Sequence, residues 1–114
     1  MESHKELEVW KRLIELVDEI YIITRLLLKS EVYGLVSQMQ RSSVSIPSNI
    51  AEGYNRNHRP EYIQFLRIAN ASAAELDTQI IICHRQYSEL NYKKVESLLI
   101  EVQKMLYVII KKLR

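Results

Sequence analysis

The hydrophobic positions of this chain recur at three- and four-residue steps along most of its length, the spacing of one helix face. From about His4 to Leu28, the residues Leu7, Trp10, Ile14, Val17, Tyr21, Thr24 and Leu28 step 3-4-3-4-3-4. Beside that seam runs a second, Leu13, Leu16, Ile20, Ile23 and Leu27. One seam suits contact with a single helix, whereas two adjacent seams need cover from more than one side. The first helix is therefore expected to be sandwiched.

The second segment opens at Ser30, which reads as an N-cap, with Glu31 placed for the positive end of the helix dipole. Between Val32 and Ala51 only Arg41 is charged, and five serines share the stretch. Those serines, with Gln38, Gln40, Arg41 and Asn49, would be costly in lipid, so burial against other helices is the better reading. Pro47 removes a donor and crowds the carbonyl of Ser43, which predicts a kink with serine hydroxyls near the freed carbonyls. Gly53 and the residues that follow are expected to stop this helix.

A third helix is predicted from Pro60 and Glu61, with Asn91 adopting the left-handed conformation that ends it. Its seam is Tyr62, Leu66, Ala69, Ala73, Leu76, Ile80, Cys83 and Tyr87. A fourth, from about Tyr92 to Leu113, carries Val95, Leu98, Val102, Met105 and Ile109. Four long helices joined by short loops give an all-α, antiparallel up-down-up-down four-helix bundle in one domain, residues 1–114.

Composition narrows this further. Two glycines and two prolines in 114 residues are few for a strand-and-turn fold, and they cannot spell a phosphate-binding glycine loop. One cysteine excludes an internal disulfide framework and a CxxC site. A net charge of +2 gives no strong preference for nucleic acid or membrane. The chain starts without a cationic, apolar signal pattern, so a cytoplasmic location is the expectation.

Candidate chemistry is sparse. Di-iron bundles use paired Glu-x-x-His motifs, and none occurs here. The three histidines fall at a helix start, a loop and a late turn, so no metal is expected. No serine has an acid–histidine pair by spacing, and Cys83 sits on a core seam. Non-enzymatic function without a cofactor is the expectation.

One polar stripe stands out: Arg41, Ser45, Asn49, Glu52 and Arg56 step 4-4-3-4 on the second helix. Glu52 is in reach of Arg56, and Glu75 on the next helix is a candidate partner for Arg41. The stripe reads as a structural network, or as a partner site; a small-ligand pocket at the kink would use Asn49, Glu52 and Arg56. The candidate nucleic-acid contacts are Arg56, His58, Arg59 and Arg67, between helices two and three. Tyr54 is placed either to stack a base or to pack the helix end.

The stretch Arg41-Ser-Ser-Val-Ser-Ile-Pro-Ser-Asn-Ile-Ala-Glu-Gly-Tyr-Asn-Arg56 resembles the signature of the bacterial 23S rRNA-intervening-sequence proteins. Glu31-Val-Tyr-Gly-Leu35, Gln38, Glu61-Tyr-Ile-Gln-Phe-Leu66, Ile68-Ala69, Ser72, Glu75-Leu76 and Gln79 extend the likeness over most of the chain. Two departures are Leu28-Lys29 where the family often has Phe-Pro, and His58 where it usually offers a capping serine three residues before Glu61. The resemblance implies an antiparallel bundle that forms homo-pentamers in several members. It also implies RNA as a candidate partner, or alternatively a diversity-generating retroelement reverse transcriptase for which related bundles are accessory subunits. In this reading Glu75 and Gln79 answer the Arg41–Arg56 stripe from the third helix.

Overall fold

The computed structural model describes residues 3–27 and 29–114. Leu28, which closes the first seam and belongs to the Leu28-Lys29 departure, lies outside the described residues. Four helices carry the fold: α1 (Glu8–Thr24), α2 (Ser37–Tyr54), α3 (Arg59–Gln86) and α4 (Lys93–Leu113). α3 has 28 residues, which at about 1.5 Å per residue spans about 42 Å. That length accounts for the long dimension of a molecule measuring 43 × 23 × 20 Å.

Each helix packs against its chain neighbours, and α1 also packs on α4. Paired side chains give the directions. Arg12 meets Glu101 and Lys94 meets Glu19 across α1 and α4. Ser42 meets Glu75 and Ser45 meets Ser72 across α2 and α3. In both cases one partner's number rises as the other's falls, so these helix pairs run antiparallel.

The core follows the seams closely on α3, where Leu66, Ala69, Ala73, Leu76, Ile80 and Cys83 are all buried. On α4, Val95, Leu98 and Val102 are buried as the spacing predicts, joined by Leu99 and Leu106. The seams of α1 separate sharply. Leu13, Leu16, Ile20 and Ile23 are buried in the core. Of the other seam, Ile14 and Tyr21 are exposed, Trp10 and Val17 are only half-buried, and Thr24 is buried. A single copy of the bundle covers α1 from one side.

Three local expectations are corrected. Ser30 lies inside a short 3-10 turn, Lys29–Glu31, followed by a π turn, Val32–Val36, with non-helical backbone at Gly34. α2 proper starts at Ser37, so Ser30 caps nothing in it. Gly53 does not stop α2, which runs through it to Tyr54; its task is close packing, since an added Cβ would sit 2.5 Å from the Cβ of Phe65 on α3. Asn91 is not left-handed: the positive φ, 55°, belongs to Asn57 in the α2–α3 turn. Asn91 instead accepts the backbone N–H of Lys93 at 3.0 Å, serving the start of α4.

α2 continues through the buried Pro47. Around it, Ser48 donates to the carbonyl of Val44 at 2.8 Å and Asn49 to that of Ser45 at 2.8 Å. Both carbonyls neighbour that of Ser43, the one that Pro47 deprives of an N–H, so the side-chain donors gather beside the freed carbonyl and not on it.

Candidate functional site

The polar stripe of α2 divides into two parts. At its C-terminal end, Arg56 donates to Glu52 at 3.3 Å and lies 3.9 Å from Glu61, while His58 lies 3.3 Å from the same Glu61. The Arg56 guanidinium also rests 5.1 Å from the centre of the Phe65 ring. These groups are close to half exposed, where such pairs contribute little to stability. Of the four basic candidates at this tip, Arg59 and Arg67 are the two in no ion pair among the described residues, and both are exposed. Tyr54 is half-buried, edge-on to Tyr62 at 5.9 Å. Asn49 is committed to both the carbonyl and the hydroxyl of Ser45.

The N-terminal part of the stripe faces α3 and forms a polar groove of about 500 Å³, lined by Gln38, Arg41, Ser42, Ser45, Glu75 and Gln79. The antiparallel register brings these residues together from two helices. Ser42 donates to Glu75 Oε1 at 3.1 Å, so Glu75 answers Ser42 where the spacing had suggested Arg41. Arg41 is exposed and in no ion pair among the described residues. Gln79 is buried, and its Oε1 has no hydrogen-bond partner among the described residues. The family resemblance marked Gln79 as one of the residues that answer the α2 stripe from α3. That its carbonyl is buried and unpaired is visible only in three dimensions.

A second surface feature lies between α1 and α2. Val17, Tyr21, Ile22 and Val44 line one hollow, and Trp10, Ile14, Val17, Val44 and Pro47 line the next. Val32, Tyr33 and Val36 continue the apolar lining past Tyr21 and Val44. Tyr33 is 96% exposed. Sequence reasoning placed Trp10, Ile14, Val17 and Tyr21 of this strip but not Ile22, Val44 or Tyr33, because none of those three belongs to a seam that the spacing marks.

The remaining titratable cluster joins the end of α3 to the start of α4. Tyr92 donates to the carbonyls of Cys83 and Tyr87 at 3.0 and 2.8 Å, and His84 stacks on its ring at 4.3 Å. Tyr87 donates to Glu31 at 2.5 Å, tying the 3-10 turn Lys29–Glu31 to the bundle. This bond to a carboxylate, with burial second, pushes the Tyr87 hydroxyl up to about 12. Burial raises the Cys83 thiol and the Tyr92 hydroxyl as well. All three shifts hold the groups in their neutral, unreactive forms. Among the described residues there is no group of three or more His, Cys, Asp or Glu able to hold a metal ion, and no helix is long and apolar enough to cross a membrane.

The family model for the 23S rRNA-intervening sequence protein matches residues 5–108, nearly the whole of this fold. The chain belongs to the 23S rRNA-intervening sequence protein family. The crystal structure of a Bacteroides thetaiotaomicron protein of unknown function from the S23 ribosomal protein family is similar, with a TM-score of 0.78 and 26% identity. The match covers 90% of this chain and 98% of that one. No curated protein matches the chain.

Proposed function

We propose that this family member is a non-catalytic, ring-forming scaffold that presents its α2–α3 tip to RNA. The observation that carries the reading is the half of α1 left uncovered. Ile14, Tyr21, Val32 and Val44 are 36–46% exposed in one continuous strip. Contiguous exposed apolar surface of this kind marks interaction sites. Further exposed apolar residues, Ile81 and Ile82 on α3 and Ile100 and Tyr107 on α4, lie on the other two helices. The α1–α2 strip, with separate exposed apolar side chains on α3 and α4, supports a head-to-tail contact, which generates a ring when the rotation closes.

RNA is supported more narrowly, by the uncommitted cations Arg59 at the tip and Arg67 about two turns along α3. Backbone phosphate contacts by a few such groups give weak, salt-dependent binding.

Sedimentation tests the assembly: the chain is expected to sediment as an oligomer at micromolar concentration, and Val44→Glu as a folded monomer. A wild-type monomer refutes the scaffold. For RNA, filter binding at low salt is expected to weaken with added salt and with Arg59→Gln/Arg67→Gln. Capture of a reverse transcriptase from the native cell, without RNA binding, would assign the accessory-subunit role instead.

A further inference from the structure

The small net charge conceals an uneven distribution along α4. From Val102 to Arg114 the chain carries Lys104, Lys111, Lys112 and Arg114 and no acidic residue. All four cations are exposed, and none is in an ion pair among the described residues. The acid just before them, Glu101, is already engaged by Arg12 at 2.8 Å. Cations in a last turn complement the negative end of a helix, which accounts for Lys111, Lys112 and Arg114. It does not account for Lys104, or for the side chain between the two lysines.

Lys104, Tyr107, Lys111 and Arg114 step 3-4-3 and therefore share one face of α4. Tyr107 is 62% exposed. A ring held out in solvent between cations is suited to single-stranded nucleic acid, with phosphates on the cations and a base stacked on the ring. The flanking charges also set Tyr107 apart from Ile81, Ile82 and Ile100, because an apolar contact closing over it would strand them. On α3, Arg67 follows the buried Leu66 as His84 follows the buried Cys83, and His84 lies 3.7 Å from Glu96 of α4. Arg67 is thus on the α4 side of α3, and the antiparallel register of that pair carries it to the level of Leu113 and Arg114.

We infer that the outer face of α4 binds an unpaired stretch of RNA. A base stacks on Tyr107, phosphates lie on Lys104, Lys111 and Arg114, and Arg67 continues the track onto α3. This rests on the RNA half of the proposed function and moves its centre from the α2–α3 tip to α4. The face from Lys104 to Arg114 is about 15 Å long. A convex helix with one protruding ring suits a splayed base and not a closed duplex, whose bases are already stacked.

The test is fluorescence anisotropy of a short labelled oligouridine with the full chain over a range of salt concentrations. Tyr107→Ala is expected to weaken binding about tenfold, and Tyr107→Phe, which keeps the ring, to bind as wild type. Lys104→Gln/Lys111→Gln is expected to lower the slope of log affinity against log salt by about 1.4, for two lost phosphate contacts. The duplex with oligoadenosine and poly-glutamate are expected to compete poorly. The proposal is overturned if Tyr107→Ala binds as wild type, if the lysine pair leaves the slope unchanged, or if either competitor matches the single strand. Tight binding to phosphatidylserine vesicles without RNA binding overturns it by assigning the cations to a membrane surface. If RNA binds and only Arg59→Gln/Arg67→Gln weakens it, this site falls and the tip reading stands; if no RNA binds, both fall. Sedimentation of Tyr107→Ala is expected to match wild type, and loss of an oligomer would overturn the site by placing the ring between copies.

Discussion

Gly53→Ala sets two physical effects against each other with opposite signs. Gly53 lies in the last turn of α2, where alanine is favoured over glycine by at most about 1 kcal/mol, so helix propensity alone predicts a gain. Packing predicts a loss. The new Cβ would stand 2.5 Å from Phe65 Cβ, 3.2 Å from Phe65 Cγ and 3.3 Å from Tyr62 Cδ1. Carbon atoms in good contact sit at about 3.5–4.0 Å, so α2 and α3 must part by about 1 Å at this crossing. Overpacking of that kind costs about 3 kcal/mol, at the upper end of the usual range. The net expectation is a loss of about 2 kcal/mol, or roughly 8 °C in Tm. Urea unfolding followed by circular dichroism reads it as a lower midpoint at unchanged slope. Because the nearest atom is a Cβ, Phe65→Ala is not expected to rescue the variant. A Gly53→Ala chain more stable than wild type would refute the close-packing explanation and return Gly53 to a purely local role.

Other variants probe the core and the α3–α4 junction. Leu76→Ala, at a site with 0% exposure, is expected to cost about 2–5 kcal/mol in urea unfolding. Tyr92→Phe removes a buried hydroxyl bond to the carbonyls of Cys83 and Tyr87, which both keep a backbone donor, and is expected to cost about 0.5–1.5 kcal/mol by the same measurement. The Tyr87 hydroxyl is pushed up to about 12 from an ordinary value of 10.0, so the fold favours its protonated form. Its contribution is fully present below about pH 10 and is lost as pH rises to about 12. The stability gap between wild type and Tyr87→Phe should therefore narrow across that window, and a gap that widens would contradict the Glu31 contact.

Much of the bundle was legible because each helix advertises its buried face through a repeat of seven. The α3 seam from Leu66 to Cys83 is the clearest case, buried at every step. The ends were less legible. Ser30, Gly53 and Asn91 are residue types that commonly begin or end helices, and each was assigned that task from type alone. Gly53 is needed by a neighbouring helix, Asn91 serves the start of α4, and Ser30 lies in a turn ahead of α2. Residue type limits what a backbone position can do, but the packing partner selects among the options.

The candidate site shows the same division. Spacing alone put Arg41, Ser45, Asn49, Glu52 and Arg56 on one stripe and identified Glu52 with Arg56 as a pair, because interactions four residues apart are local to one helix. It could not show that Glu75 engages Ser42 in place of Arg41, or that Gln79 ends with a buried, unpaired carbonyl. Those depend on the register of α2 against α3, which no single helix encodes. By itself, the sequence determined the four helices, the faces that pack and the family signature, all consequences of periodicity and local chemistry. Only the tertiary structure decided which of the two α1 seams enters the core and which polar groups meet across the groove, because both follow from where distant segments come to rest against one another.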